Sequence, residues 1–195
     1  MSKTIKYNVK FLSDWHCGSG LSSGIDLDLL VIKDVDNLPY IPGKTIKGLV
    51  REAVEEIGSF DTSIDQQKIL QTFGSAYDKP EESQMPGCLF FHNAVLKEEL
   101  RKEIKERKLY KYLYRSIAST AIDKDGVAEE HTLRKMETTV PCELEGEILE
   151  VPDDFDQVVE KGLKFVKRLG QNRNRGLGRC IITVTSNQNQ EGNQP

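Results

Sequence analysis

Apolar and polar side chains alternate along residues 4–12 of the chain. A period of two predicts a half-buried β-strand. The buried face of that strand is predicted to consist of Ile5, Tyr7, Val9 and Phe11. Shorter runs of strand-forming residues predict three more strands, at 88–96, 144–151 and 180–185.

Two segments repeat apolar residues at helical spacing. Residues 42–58 and 153–169 carry apolar side chains at offsets of three and four, which predicts amphipathic helices that each pack by one face. Gly58 is expected to end the first helix, and Gly170 to close the second as its C-terminal cap. Two shorter helices are predicted at 65–73 and 97–108.

The order of the strong elements is β-α-β-β-α-β. This order is typical of an α+β fold with a ferredoxin-like, or RRM-like, palm, in a single domain over residues 1–185. An insertion of about residues 97–142 separates the second strand from the third. Two extended arms flank residues 123–126 within the insertion, which predicts a long hairpin. Residues 186–195 have nothing to bury and are predicted to form a disordered tail.

Composition narrows the class of protein. Hydrophobic residues make up 37% and charged residues 30% of the 195 residues, which is ordinary for one soluble domain. Because no apolar run is long enough to span a membrane or to form a signal peptide, we expect a cytoplasmic protein with no membrane partner. The four cysteines contain no CxxC pair, which excludes a sequence-local zinc knuckle.

The net charge of −4 argues against a nucleic-acid partner, but the charges are separated along the chain. Residues 143–160 contain eight acidic residues and no Lys or Arg, whereas 160–179 contain seven basic residues and one acidic residue. Residues 101–115 contain seven basic and two acidic residues. Separated blocks of this kind can build one positive groove whatever the total charge. The alternative is that each block is an ordinary solvated face.

Two glycine-rich segments with basic side chains are candidates for binding a phosphate backbone. In residues 170–179, GQNRNRGLGR, glycines permit close approach and arginines bind phosphate through paired N–H groups. Residues 41–45, IPGKT, end like a phosphate loop, but Leu38 stands where a Walker A motif needs glycine, which argues against nucleoside triphosphate binding. A phosphate at this helix start, near Lys44, and a plain helix start capped by Thr45 both remain open.

A third glycine-rich segment, residues 14–24, follows the first strand and contains Trp15 and His16. A lone His beside a Trp is more often packed than catalytic, so we interpret both as structural and expect RNA contacts from the neighbouring glycines.

Four aspartates follow in a short stretch: Asp26, Asp28, Asp34 and Asp36. One interpretation is metal coordination or proton transfer at a phosphodiester. The other is loop solubility and side-chain turns, which we favour for Asp34 and Asp36.

Three runs, at 13–20 (SDWHCGSG), 38–51 (LPYIPGKTIKGLVR) and 174–179 (NRGLGR), together resemble the RAMP superfamily. More narrowly, they resemble the backbone subunits of type III CRISPR effector complexes, and the DWHxGxG and PYIPGKT forms are similar to those of subtypes D and E. The resemblance covers the chain to about residue 185.

The resemblance implies a palm with a thumb hairpin in the insertion, and copies that stack along a CRISPR RNA beside neighbouring RAMP backbone subunits and other type III effector subunits. It also implies that complementary target RNA is bound and cut at regular intervals by a loop aspartate, with a divalent cation such as Mg²⁺. In that pattern the aspartate stands six residues before a second one. Counting back from Asp34 gives Asp28 as the catalytic and possible metal-binding residue, with Asp26 as the alternative.

The predicted function is therefore a target-RNA endoribonuclease that acts within the complex. The alternatives are a non-catalytic RNA-binding scaffold and a CRISPR-RNA-processing endonuclease that uses His16 as acid or base. The residues predicted to contact RNA are His16, Gly18, Gly20, Lys44, Thr45, Lys47, Arg51, Arg115, Arg134, Asn172, Arg173, Arg175, Gly176, Gly178 and Arg179.

Overall fold

The computed structural model describes residues 2–21, 28–75, 85–121, 124–127 and 132–188. Its strands and helices, in chain order, are β1 Ser2–Phe11, α1 Gly43–Phe60, α2 Gln66–Phe73, β2 Phe90–Phe91, β3 Val95–Leu96, α3 Glu98–Glu106, β4 Tyr114–Ser119, β5 Arg134–Thr139, β6 Glu143–Pro152, α4 Asp156–Phe165 and β7 Cys180–Gln188. Among these residues no helix is both long and apolar enough to cross a membrane.

The main sheet has the strand order β2-β6-β1-β7, and β3 also pairs with β6. All of these pairings are antiparallel. This arrangement confirms the predicted α+β ferredoxin-like palm, with β1 in the centre of the sheet. The alternating residues Ile5, Tyr7 and Val9 are fully buried, as their period predicts.

Helices α1 and α4 bury their apolar faces in the same core as β1. Ile46, Val50 and Val54 of α1 and Leu163 of α4 all belong to this core. The two helices approach closely at Gly162, where a Cβ atom would lie 2.6 Å from a methyl carbon of Val54. The helical spacing of the apolar residues therefore produces the packing that it predicts.

The second predicted helix is shorter than its pattern indicated. It ends at Phe165, and Val166 already has an extended backbone, so Gly170 is not its C-terminal cap. Residues 167–169 instead run beside the start of β7: Leu169 N–H donates to the Gly178 oxygen and Cys180 N–H donates to the Lys167 oxygen. These hydrogen bonds favour extended backbone where the sequence pattern alone favours helix.

Two other predicted boundaries also change. The strand predicted at 88–96 is interrupted, because Ala94 leaves β6 and exchanges backbone hydrogen bonds with Ile41. The last strand continues to Gln188, which pairs with Thr4. The predicted tail is therefore wrong for residues 186–188, and residues 189–195 lie outside the described residues.

The predicted hairpin in the insertion forms a separate two-stranded sheet. Strands β4 and β5 pair from Tyr114 with Thr139 to Ser119 with Arg134. The other edge of β5 pairs with the segment that follows β1, through a bridge between Trp15 and Thr139 and one between Leu29 and Met136. The hairpin is thus fastened to the palm along the edge of β5 that does not pair with β4.

Candidate nucleic-acid interface

Two glycine-rich segments that lie more than 150 residues apart in the sequence meet at the end of the sheet. Gln171 N–H donates to the His16 oxygen at 2.9 Å, and Gly178 N–H donates to the Asp14 oxygen at 2.8 Å. The hydroxyl of Ser13 accepts from Arg179 N–H at 3.0 Å. Residues 13–16 and 170–179 therefore form one surface.

Two glycines in this surface are required by close approach of the backbone. A Cβ atom on Gly170 would lie 2.3 Å from the His16 oxygen, and one on Gly178 would lie 1.8 Å from the Leu169 oxygen. Both residues also have positive φ, 94° and 68°. Gly176 has a φ of 92° but open space around it, so its requirement is conformational alone.

A cleft of about 290 Å³ lies between the two segments and helix α1. Its walls are made by His16, Cys17, Gly18, Thr45, Leu49, Gly170, Gln171 and Arg173. The predicted contacts His16, Gly18, Thr45 and Arg173 are thus brought together, and none of the described residues that line the cleft is acidic.

Residues 170–179 form the C-terminal loop. Its arginines lie on the outside of the surface that this loop forms with residues 13–16. Arg173 and Arg175 belong to a 3₁₀ turn, which starts after Asn172 in the left-handed conformation. Both arginines and Arg179 are exposed. Asn172 also contacts the hairpin, because its side-chain amide donates to the Met136 sulfur at 3.7 Å. The loop therefore offers three guanidinium groups beside the base of the hairpin.

The start of α1 differs from the sequence interpretation. Pro42 precedes the helix without a side-chain cap, so Thr45 is not the capping residue. Close packing requires glycine at position 43, because a Cβ atom there would lie 2.0 Å from the Phe91 oxygen. The Gly43 N–H group donates to the Asn93 side chain at 2.9 Å. The small residue and its N–H group are therefore already used inside the protein. Lys44 is exposed on the first turn.

Two other predicted contacts on α1 lie outside the cleft. The Lys47 amine donates to the Leu89 oxygen at 3.3 Å, and burial lowers its pKa. The Arg51 guanidinium pairs with Glu55, one turn further along. The flank of α1 that faces the cleft carries Thr45 and Leu49 instead.

Trp15 and His16 are both fully buried. The Trp15 ring stacks on Phe11, with ring centroids 4.4 Å apart. The Nδ1 atom of His16 lies 2.6 Å from the backbone oxygen of Glu137 in β5. Both side chains thus connect elements of the fold, as the sequence favoured, and His16 has no exposed edge on the molecular surface. Gly18 lies beside the His16 ring, whereas Gly20 has nothing near the position of a Cβ.

Asp28 lies on the surface at the edge of the hairpin. Its Oδ2 atom accepts from Lys135 N–H at 2.7 Å, and its own N–H donates to the Lys135 oxygen at 2.9 Å. One hydrogen bond from β5 therefore orients one carboxylate oxygen, and a second holds the Asp28 backbone. The other carboxylate oxygen has no partner among the described residues. Asp26, the alternative catalytic residue, lies outside the described residues.

Asp34 and Asp36 have structural roles, as the second interpretation favoured. The Asp34 side chain accepts from the N–H groups of Asp36 and Leu38, which forms a turn. The Arg101 guanidinium pairs with Asp34 at 2.8 Å and with Asp36 at 3.2 Å. The neighbouring Lys105 amine lowers the pKa of Asp36.

The described residues do not include a group of three or more His, Cys, Asp or Glu side chains that would hold a metal ion. Mg²⁺ in proteins keeps several waters and is bound by one or two carboxylates together with substrate phosphates. Asp28 alone among the described residues does not make a preformed cation site. Among the described residues, Asp28 would supply the one carboxylate, and water and RNA oxygens would supply the other ligands of such an ion.

Sequence reasoning missed Glu137, Lys135 and Gln171, which position the predicted residues. The Glu137 carboxylate is buried and accepts from the Lys33 amine and from Val31 N–H. The contacts of Glu137 and Lys135 join residues about 100 positions apart, and neither residue belongs to a motif, so no local pattern signals them. Gln171 lies in the glycine-rich segment 170–179, but its contact with His16 is not visible in the sequence.

The two predicted arginines of the hairpin differ in position. Arg115 pairs with Asp14 at 3.3 Å, close to the glycine-rich surface. Arg134 is exposed at the far end of β5, opposite Ser119. Only Arg115 therefore lies beside the cleft.

Comparison with solved structures shows the same fold in a known assembly. One similar chain belongs to the type III-B Cmr-beta complex bound to cognate target RNA, with 13% identity and a TM-score of 0.71 over 93% of this chain and 96% of that chain. Another belongs to the apo state of the type III-B Cmr-beta complex, with 12% identity, a TM-score of 0.68 and the same coverage of both chains. At these identities the likeness shows the fold alone.

The family is shown by the sequence itself. No curated protein has a sequence that matches this chain. The model of the RAMP superfamily, however, matches residues 8–181, which include most of the palm, the hairpin and both glycine-rich segments. The chain therefore belongs to the RAMP superfamily.

Proposed function

We propose that the chain is an RNA-binding backbone subunit of a type III CRISPR effector complex. It holds CRISPR RNA and complementary target RNA beside neighbouring RAMP subunits and other effector subunits. The observation that carries the proposal is the meeting of the two glycine-rich segments at a cleft rimmed by exposed arginines. The shared fold with a chain of the Cmr-beta complex, which is described as bound to cognate target RNA, supports it.

The charges around the cleft suit a polyanion, although the net charge of the chain is −4. Two carboxylates close to the cleft are paired, Asp14 with Arg115 and Glu137 with Lys33. Glu52 and Glu56 lie in a neighbouring pocket beside Arg173, where Lys167 and Arg168 also lie. The exposed guanidinium groups of residues 170–179 add positive charge to the rim of the cleft. Arginine binds phosphate through two parallel N–H groups, and this electrostatic attraction does not depend on base sequence. Such a surface suits a subunit that holds guides of any sequence.

The hairpin suits a role in shaping the bound strand. It lies directly beside the cleft, because Glu137 contacts His16 and Met136 contacts Asn172. The base of the hairpin is held by hydrogen bonds and an ion pair. The hairpin therefore presents a rigid surface to RNA that leaves the cleft. A strand that passes from the cleft along β5 reaches Asp28.

Target RNA is cleaved beside Asp28 in this proposal. The ribose 2′-hydroxyl attacks the adjacent phosphorus, its proton passes to the free oxygen of Asp28, and the P–O5′ bond breaks. The leaving oxygen takes a proton from water, so the products are a 2′,3′-cyclic phosphate and a 5′-hydroxyl. The Lys135 N–H group keeps the carboxylate oriented, and a kinked strand sets the reacting atoms in line.

The proposed cofactor is a divalent cation such as Mg²⁺. The described residues offer Asp28 without a second carboxylate beside it, so further ligands would be water and RNA oxygens. The requirement for Mg²⁺ is tested by adding a chelator to the cleavage reaction.

The two alternative functions are a processing endonuclease and a non-catalytic scaffold, and the position of His16 argues against the first. A processing endonuclease that uses His16 needs that ring to reach its substrate from the surface, yet His16 is fully buried and bonded to Glu137. The non-catalytic scaffold shares the RNA interface and differs only in the absence of cleavage.

One experiment distinguishes these functions. The complex is assembled with a guide RNA and incubated with end-labelled complementary RNA, with and without Mg²⁺. Regularly spaced fragments that end in a cyclic phosphate support the endonuclease. Bound but intact target identifies the scaffold, and cleavage of guide precursor by the chain alone identifies the processing enzyme. A complex that retains neither strand overturns the proposal.

A further inference from the structure

A second pocket, of about 430 Å³, adjoins the cleft. The pocket and the cleft share Leu49 and Arg173 in their walls, so they are continuous with each other. The volume of the pocket is in the range of small-molecule sites. A nucleotide of a strand that lies in the cleft can therefore reach it.

Phe165 gives this pocket an exposed aromatic ring. It is the last residue of α4, it is 44% exposed, and it does not belong to the hydrophobic core. Leu49 and Ala53 of α1 line the pocket as well. Unstacked bases of single-stranded RNA bind by stacking on aromatic side chains. The apolar part of the pocket therefore suits a nucleobase.

Opposite charges line the same pocket without pairing. Glu52 and Glu56 are exposed one turn apart on α1, and neither carboxylate has a hydrogen bond or an ion pair with a described residue. On the other side, the Arg168 guanidinium donates to the Arg173 carbonyl oxygen at 3.2 Å and not to a carboxylate. The pocket thus offers acceptors on the side of α1 and donors on the side of residues 167–173.

The carboxylates determine which base fits best. An ionised carboxylate only accepts hydrogen bonds, and it accepts at two oxygens. The Watson–Crick edge of guanine presents two neighbouring donors, N1–H and the N2 amino group. Adenine and cytosine have an acceptor nitrogen beside their amino group, and uracil has a carbonyl oxygen on each side of its N–H group. Each of these three bases would therefore place a lone pair against the carboxylate.

We propose that this pocket binds a guanine base that is turned out of the strand in the cleft. The base stacks on Phe165, and its two donors bond to the carboxylate of Glu52 or Glu56. The basic residues of the other side then lie toward its phosphate. The inference rests on the proposed RNA-binding function and extends it, because phosphate contacts hold any sequence whereas the pocket favours guanine at one nucleotide.

The test compares the affinity of the full chain for short uridine-rich RNAs that carry one central guanosine, inosine or adenosine. Inosine keeps N1–H and lacks the N2 amino group. We expect a preference of roughly tenfold for guanosine over adenosine, which is the discrimination of one bidentate pair, with inosine between them. Equal affinity for the three RNAs overturns the inference, whereas a chain that binds none of them contradicts the proposed function.

Changing Glu52 and Glu56 together to Gln should remove most of this preference, because an amide places a donor where the second carboxylate oxygen stood. Two negative charges are also lost, so the affinity for every RNA should rise, and the ratio of affinities is the readout. The matched control changes Glu99 and Glu103, which lie one turn apart on α3, to Gln and should keep the preference. A preference that survives the first change assigns Glu52 and Glu56 to an ordinary solvated face, and the inference is then wrong.

Phe165→Ala tests the stacking contact separately. It should weaken binding of the guanosine RNA by roughly fivefold or more. Phe60→Ala is the control, since Phe60 is exposed at the end of α1 and does not line the pocket. Equal effects of the two changes would contradict the inference. Loss of complex assembly with an unchanged preference for guanosine would assign the pocket to a protein partner and would also overturn it.

Discussion

The Glu137 carboxylate lies 2.8 Å from the Lys33 amine and joins the hairpin to the segment that follows Asp28. Its second oxygen accepts from Val31 N–H at 3.1 Å. The backbone oxygen of Glu137 also contacts His16. A single residue of β5 thus connects the hairpin, the candidate catalytic segment and the cleft.

We expect Glu137→Gln to lower the free energy of unfolding by about 1–3 kcal/mol, because it leaves the partly buried Lys33 amine without its counter-charge. The measurement is urea denaturation of the full chain. The matched control is Glu145→Gln, since Glu145 is exposed and pairs with Lys97 at 3.6 Å; its effect should stay within about 0.5 kcal/mol. Equal effects of the two changes would contradict the anchoring role of Glu137.

Asp28→Asn is expected to abolish cleavage at the position of each substituted subunit while binding of target RNA is retained. Asparagine can still accept from Lys135 N–H, but it does not take the proton of the 2′-hydroxyl. The measurement is the fragment pattern of end-labelled target RNA with the assembled complex. Asp154→Asn is the matched control, because Asp154 pairs with Lys68 on the palm. Normal cleavage by Asp28→Asn would transfer the proposed role to another residue, Asp26 first.

The arginines of the C-terminal loop should control the salt dependence of RNA binding. Each phosphate contact on a single strand contributes a slope of about −0.7 to the logarithm of affinity against that of salt. Changing Arg173, Arg175 and Arg179 together to Gln should therefore make the slope shallower by about 2.

The control for that triple change removes three lysines from the outer sheet surface: Lys6, Lys10 and Lys97. Net charge changes by the same amount, but Glu143, Glu145 and Glu147 surround these positions on β6. We expect the slope of this control to remain that of the wild type. A control that flattens the slope as strongly as the arginine variant would show that only total charge matters.

Two glycines of the same loop allow a paired test of its backbone. We expect Gly176→Ala to lower the free energy of unfolding by about 1–2 kcal/mol, which is the strain of a non-glycine residue in the left-handed conformation. Gly178→Ala also places its Cβ at the Leu169 oxygen, so it should cost more than about 3 kcal/mol or prevent folding. Thermal denaturation compares the two, and equal melting temperatures would contradict the close approach of residues 169 and 178.

Periodicity predicts most of the palm because local patterns determine its elements. The alternation of Ile5, Tyr7 and Val9 gives a central strand, and the helical stripe from Ile46 to Val54 gives α1. The end of α4 is not predictable in this way, since Leu169 fits a helical stripe equally well. Its extended conformation depends on a hydrogen bond to Gly178, which is a tertiary contact.

The candidate site, like the fold, is only partly predictable from the sequence. Glycines and arginines at 13–20 and 170–179 indicate the interface because their chemistry is local and unusual. Lys47 shows the limit of this reasoning, because a basic residue one turn from Lys44 contacts the Leu89 oxygen instead of the cleft. The partners that orient the site, such as Lys135 and Glu137, are distant in sequence and carry no motif.

The central claim is that residues 13–20 and 170–179 together form the RNA interface. Ultraviolet cross-linking of the RNA-loaded complex, followed by mass spectrometry of the peptides, tests it most directly. We predict cross-links in both segments and in the hairpin. Cross-links confined to the outer sheet surface that carries Lys6 and Lys10, with none in either glycine-rich segment, would contradict the account.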